Sequence, residues 1–441
     1  MRTDEEDGSR AGGTHARGEG DWRRAISSLC CQSKDVKCFP MKSPTRLLFL
    51  SSILTIAAVL NTGAFAVEPT IHLRDGFANL RHRATVDKKA HVAFLGGSIT
   101  QNTRGHTAMI PAWLEETFPD TKFTFTNAGL SSTCSVTGAF RVADDVIAKG
   151  PVDLLVVEFA VNDDQDASHD QKTATRGMEG IIRQVRAHNP AADILMVHFV
   201  NPDLLAKAQA GESSVSITAH ESVAEHWGIT TVNIANALAA STEAGNMDWA
   251  QYGGVHPKSE GYRFASDFMI DAIQSSWKDQ PVTSEIAAHQ APDKPLDENS
   301  YGKVRAFDLQ QASWLGGWKF GPVGKDLMPL GSIREDYLDR PMLRGEEAGN
   351  IIYLDFMGRA LTAFVLAGPD SGDLEVSIDG GDWKRVPNFH RFSTGLNYPR
   401  SLILADDLTS GFHIGAVRIA SEIPEGSQGH AVSILKLGIN E

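Results

Sequence analysis

The chain has 441 residues, 42% hydrophobic and 22% charged, with 40 Gly and 19 Pro, a balance that suits a globular protein of two domains and excludes collagen, wholesale disorder and a polytopic membrane protein. Its formal net charge of −14 argues against nucleic acid as a partner, because phosphate binding needs a Lys/Arg excess to displace counterions. A neutral or cationic substrate, or a neutral sugar polymer, suits this surface better.

Residues 1–40 are rich in Gly, Arg and Asp without periodicity and are expected to be a non-native or disordered extension outside the fold. A second methionine, Met41, opens a basic stretch to Arg46, followed by the apolar run Leu47 to Leu60 and the small-x-small triplet Ala64-Phe65-Ala66. This reads as a signal peptide over residues 41–66, and hence as a secreted or periplasmic protein. The apolar run falls short of the ~20 residues that span a bilayer, so no stable membrane span is expected after cleavage; an N-terminal anchor is the alternative. Of the four cysteines, Cys30, Cys31 and Cys38 fall in the extension. Cys134 alone remains, and a lone thiol reads as a small packed residue rather than a disulfide partner.

Residues 67–280 read as an α/β domain. Strands are predicted at His91–Leu95, Lys122–Thr126, Asp153–Phe159, Ile194–Val200 and Thr230–Ile234. Helices are predicted near Thr107–Phe118, Thr137–Lys149, Gln171–His188, Ser216–Trp227 and Ser259–Trp277. This alternation predicts a three-layer α/β/α, flavodoxin-like parallel sheet, and Asp153–Phe159 is apolar nearly throughout, as a doubly buried strand must be. Residues 281–300 read as a linker. Beyond it, over 301–441, come strands without helices: Ile351–Phe356, Leu361–Leu366, Leu374–Ile378, Ser401–Leu404, His413–Ala420 and Ala431–Leu437, with a hairpin signal at Asp379-Gly380-Gly381-Asp382. These predict a C-terminal all-β, jelly-roll-like sandwich.

In an open parallel sheet, chemistry gathers where loops leave the carboxyl ends of the strands. There the first strand ends in Gly96-Gly97-Ser98-Ile99-Thr100, which sets Ser98 at a helix mouth as a candidate nucleophile; Ser is also an ordinary helix cap. The turn is not the G-x-S-x-G elbow of α/β-hydrolases, since Thr100 stands at the second glycine. The next strand ends bring Asn127-Ala128-Gly129 and Val161-Asn162-Asp163, so the Gly129 N–H and the Asn162 amide are candidate oxyanion donors. Gly253-Gly254-Val255-His256-Pro257 places His256 before a helix, suited to a general base taking the Ser98 proton.

The ordered blocks GGSIT, NAG, VND and VHP resemble the SGNH/GDSL hydrolases, over about residues 70–277, and look closest to an exported branch with a GGSIT block and an appended β-sandwich. The resemblance implies Ser98 as nucleophile, an oxyanion hole from the Ser98 amide, Gly129 and Asn162, and His256 as base. Two positions depart from the family. Gly97 stands where its Asp would be, and Gly253 stands where an acid usually orients the His. Asp248 is the nearest upstream acid and a candidate for that role; a Ser-His dyad is the alternative.

The cluster Asp163, Asp164, Asp166, His169 and Asp170 reads as a solvated, acid-rich helix entrance rather than a metal site. His198 and His220 are candidates for the pocket wall or for packed histidines, Arg104 and His106 for substrate contact, and Trp314, Trp318 and Trp383 for sugar stacking or for the sandwich core. The whole reads as a secreted serine esterase removing acetyl groups from an acetylated polysaccharide or oligosaccharide, with no metal and no organic cofactor required. A lipid or aryl esterase of the same fold, or a non-catalytic carbohydrate-binding protein, are the rivals.

Overall fold

A computed structural model describes residues 69–441; the predicted extension, the predicted signal peptide and Cys30, Cys31 and Cys38 lie outside the described residues. The first sheet runs in chain order through β1 (Ile71–His72), β2 (Lys89–Gly96), β3 (Lys122–Gly129), β4 (Leu154–Glu158), β5 (Asp193–His198) and β6 (Thr230–Asn233). Its spatial order is β1-β6-β5-β4-β2-β3. The neighbours β3, β2, β4, β5 and β6 pair in parallel. The two-residue β1 pairs antiparallel with β6, so the sheet is mixed at one edge rather than purely parallel. Every residue of β4 and β5 is buried, which explains the unbroken apolar run around β4.

Helices Gln171–His188 and Ser259–Trp277 form where the sequence predicts them. The predicted helix Thr137–Lys149 is instead three short pieces, Ser135–Ala139, Val142–Asp145 and a 3₁₀ turn at Ile147–Lys149. At the first break the Arg141 guanidinium turns inward and donates to Ala128 O (2.7 Å) and Gly96 O (2.9 Å), tying the ends of β3 and β2 together. Two helices without a clear signal in the sequence, Pro202–Gln209 and Ile234–Glu243, begin at Asn201 and Asn233, whose side chains accept the Leu204 and Asn236 N–H groups.

Residues 279–300 carry neither helix nor strand but are pinned to the α/β layer. His289 Nε2 lies 2.8 Å from the buried Asp193, and the Leu296 and Asp297 N–H groups donate to the buried Glu179 carboxylate. The C-terminal part is two antiparallel sheets. One orders Tyr398–Ala405, Ala360–Ala367, Val432–Asn440, Pro341–Gly345 and Lys319–Pro322, with Val304–Phe307 also on Val432–Asn440; the other orders Lys384–Val386, Leu374–Ile378, Gly411–Ile419, Ile351–Gly358 and Ser313–Leu315. In Ile351–Gly358 buried and exposed residues alternate, the mark of a strand with one face on the core. The Asp379-Gly380 turn takes positive φ at both residues (54° and 74°) and joins Leu374–Ile378 to Lys384–Val386. Trp318 is buried in the core between the sheets, whereas Trp383 is 38% exposed.

The sandwich packs on the α/β layer. Phe140 reaches so close to Gly438 that a Cβ there would sit 2.3 Å from its ring, and Thr137 Oγ1 meets Ser401 Oγ at 2.7 Å. Arg176, 3% exposed, bonds Asp297 of the connecting segment and Asp406 and Asp407 of the sandwich, each at 2.6 Å.

Candidate active site

At the carboxyl end of β2 the chain turns through Gly96 and Gly97 into the one-turn helix Ser98–Gln101. Polar side-chain ends lie close against both glycines. A Cβ on Gly96 would fall 2.3 Å from Glu158 Oε1, and one on Gly97 would fall 2.1 Å from Asn162 Oδ1. Gly97, which stands where the family has Asp, thus packs directly against the Asn162 amide. Thr100, which breaks the G-x-S-x-G pattern, donates its hydroxyl to Glu158 Oε1 at 2.7 Å.

His256 arrives from the far end of the domain, and its Nε2 lies 2.7 Å from Ser98 Oγ. The hydroxyl donates in this bond when the ring carries its proton on Nδ1. The loop that carries the ring is set by Gly253 and Gly254, at φ 103° and 98°. A Cβ at Gly253 would meet Lys258 N at 2.4 Å, so neither the backbone nor the space there admits the usual acid. Asp248 does not replace it. Its carboxylate accepts the Gln251 N–H (2.8 Å) while the Gln251 side chain accepts the Asp248 N–H, a capping box on the helix Trp249–Tyr252. Among the described residues no group hydrogen-bonds to His256 Nδ1.

The two further donors are placed differently. Asn162 is buried just beyond β4 and gives one amide hydrogen to Asp166 Oδ2 at 2.7 Å, which leaves its second hydrogen uncommitted. Gly129 packs on the nucleophile helix so tightly that a Cβ would meet Gln101 N at 2.2 Å, but its own N–H donates to Asn127 Oδ1 at 2.9 Å.

Glu158, at the end of β4, carries no sequence signal because it closes an apolar strand. It is buried beneath the turn, and its Oε1 accepts both the Gly97 N–H (2.9 Å) and the Thr100 hydroxyl. Burial pushes its carboxyl up to about 7, against the pull of those two donors.

The sandwich also reaches this edge. Gln101 receives Ser131 on its Oε1 and donates from Nε2 to Asp336 at 2.8 Å, while Arg334 donates to Ser132 Oγ at 2.8 Å. On the other flank His390 meets Asp166 O at 3.0 Å and Arg391 donates to Gln165 O. Two sandwich loops thus hold the segments that follow β3 and β4.

The remaining candidates are structural or lie deeper. His106 is buried among Phe94, Phe199 and Tyr262, and burial pushes its imidazole down to about 3. His198 is buried against Glu221 at 3.0 Å. Asp170 caps the helix Gln171–His188, as an acid at a helix entrance should. The solvated reading of its neighbours fails: Asp163 is fully buried and meets His220 Nε2 at 2.9 Å, and His169 turns inward beside it.

A parallel sheet with a serine and a histidine paired across its carboxyl edge defines an ester-hydrolysing enzyme. Residues 94–264 match the GDSL-like lipase/acylhydrolase family, a span that takes in most of the α/β domain. No curated protein matches the chain in sequence. Among solved structures the chain is similar to a two-domain esterase active on acetylated mannans, co-crystallized with mannopentaose. It is 20% identical, with a TM-score of 0.66, over 84% of this chain and 97% of that one. A second structure of a two-domain esterase active on acetylated mannans gives 20% identity and a TM-score of 0.63, over 83% of this chain and 97% of the other. At that identity the likeness is one of fold, and it takes in both the α/β layer and the sandwich.

Proposed function

We propose that this chain is an exported serine esterase that removes acetyl groups from a polysaccharide. The observation that carries the reading is the 2.7 Å contact between Ser98 Oγ and His256 Nε2. In the proposed mechanism His256 takes the hydroxyl proton as Ser98 attacks the ester carbonyl. The alkoxide of the sugar leaves with that proton, and water, activated by the same ring, hydrolyses the acyl-enzyme. The developing oxyanion is met by the Ser98 N–H and the free hydrogen of the Asn162 amide; Gly129 joins them only if its N–H is shared with Asn127. His256 works as one half of a dyad, since no described residue bonds its Nδ1. The polymeric substrate is supported by the two-domain likeness to an esterase of acetylated mannans, and export by the segment 41–66.

The test is acetate release by the purified protein and by Ser98→Ala on acetylated glucomannan, xylan and pectin and on a small aryl acetate. Release from a polymer that is lost in the variant is the expected result, with a fall of about four orders of magnitude or more in kcat, as for other serine hydrolases stripped of the nucleophile. Activity confined to long-chain esters, or no release from a folded protein, overturns the reading.

A further inference from the structure

Behind the Asn162 loop, Cys134, Asp163 and His169 converge, and none of them takes part in the proposed ester hydrolysis. One ligand atom from each, the Cys134 Sγ, an Asp163 carboxylate oxygen and a His169 ring nitrogen, all lie within 4.8 Å of one another. Cys134 is 6% exposed and Asp163 fully buried. His169 Nδ1 is shielded from solvent and stands 3.4 Å from Asp163 Oδ1 in a geometry that makes no hydrogen bond. This imidazole nitrogen makes no hydrogen bond of good geometry, and what faces it is the Asp163 carboxylate at ion-pair distance and the Cys134 thiol, two donors that a cation can share with it.

We infer that these three side chains form a binding site for a thiophilic divalent cation of the Zn²⁺ class. Thiolate, imidazole and carboxylate are the donors such an ion takes, at about 2.0 to 2.3 Å, which sets the donors of a tetrahedral site about 3.5 Å apart. The His169–Asp163 separation already has that value, and the Cys134 sulfur lies within 4.8 Å of both.

The surroundings hold the donors in place. Ser135 donates its N–H to Asp163 Oδ1 (2.8 Å) and its hydroxyl to Oδ2 (2.6 Å), and His220 Nε2 meets Oδ2 at 2.9 Å. Outer hydrogen bonds of this kind orient a metal-binding carboxylate. Ser168, at φ 49°, turns the chain back so that the His169 N–H donates to Asp163 O at 2.9 Å and the ring is brought over the carboxylate. Cys134 and His169 also line a cavity of about 420 Å³ between the α/β layer and the sandwich, together with Tyr398, Arg400 and Leu402. A water or a small anion completes the coordination from there, with Arg400 to balance an anion's charge.

The experiment uses the full chain with Cys30, Cys31 and Cys38 replaced by Ser, so that Cys134 is the one thiol. After chelator treatment it is incubated with Zn²⁺ or Co²⁺ and desalted. One equivalent of Zn²⁺ per chain and a thiolate-to-cobalt charge-transfer band are expected, both retained in Ser98→Ala and both lost in Cys134→Ser and His169→Ala. A chain that holds less than a tenth of an equivalent and shows no such band overturns the inference. So does binding that survives Cys134→Ser. If the variants fail to fold, the cobalt spectrum of the chain with Cys134 intact decides alone. None of these readouts depends on esterase activity, so the metal site and the proposed hydrolysis stand or fall separately.

Discussion

Glu158 carries the turn on which the proposed nucleophile sits, since one of its oxygens receives donors on both sides of Ser98. Its carboxyl is raised from 4.5 to about 7, so the folded protein holds a proton there that the unfolded chain has released. Linkage gives the sign: this group's contribution is most favourable below the unfolded value and falls as pH rises from about 4.5 through about 7, by about 3 kcal/mol in all. Glu158→Gln keeps the acceptor oxygen and removes the titration. Thermal melts between pH 5 and 8 should therefore show a flatter pH dependence in the variant; identical slopes would deny Glu158 this role. Asp248 makes the opposite case. Because its carboxylate is spent on a helix cap, Asp248→Asn, which can still cap, should leave turnover unchanged, and Asp248→Ala should cost about 1 kcal/mol of stability. A loss of tenfold or more in kcat for the Asn variant, measured on an aryl acetate, would put Asp248 back in the mechanism.

Between elements, the helix Gln171–His188 is the piece that joins the two layers. Its Arg176 satisfies three carboxylates from the connecting segment and the sandwich, and the ion's own burial would be prohibitive without them. Their attraction holds the Arg176 guanidinium well above its ordinary value, against the cost of burial. Arg176→Ala leaves three acids facing one another and should lower the unfolding free energy by on the order of 3 kcal/mol, a value kept modest because the carboxylates are partly exposed. Denaturant titration measures it, and a midpoint equal to wild type would show the network to be incidental.

For the whole molecule, the apolar clusters do not stop at the boundary between the layers. Leu130, at the end of β3, packs with Val323, Met328 and Tyr337 of the sandwich, and Ala360 of the sandwich packs with the α/β core. Cutting the chain after residue 300 would expose these patches together with the ring of Phe140. The shortened chain, 69–300, should elute from size exclusion as aggregate, or show turnover at least tenfold below the intact protein; a monodisperse domain of full activity would mean the layers work independently. Gln101–Asp336, Arg334–Ser132, His390–Asp166 and Arg391–Gln165 are the contacts by which the sandwich reaches the site.

The blocks around Ser98, Gly129, Asn162 and His256 were legible in sequence because turns at strand ends use contiguous residues: glycines where another part of the chain approaches, an Asn after a buried strand, a Pro after the His. The central strands β4 and β5 were legible for a similar reason, since a strand buried on both faces must be an apolar run. Glu158 was not, because an acid at the end of such a run takes its meaning from a turn sixty residues earlier in the chain. Nor was the break at Arg141, which depends on two carbonyls at the ends of other strands. Asp163 and His169 looked solvated as a string of polar residues, and only the packing of Ser135 and His220 around them turns them inward. Local pattern and turn chemistry therefore determined the fold class and the candidate nucleophile, since both are written in contiguous residues. Which acid serves which neighbour was decided by the tertiary structure, because burial and hydrogen bonding join residues that the sequence keeps far apart.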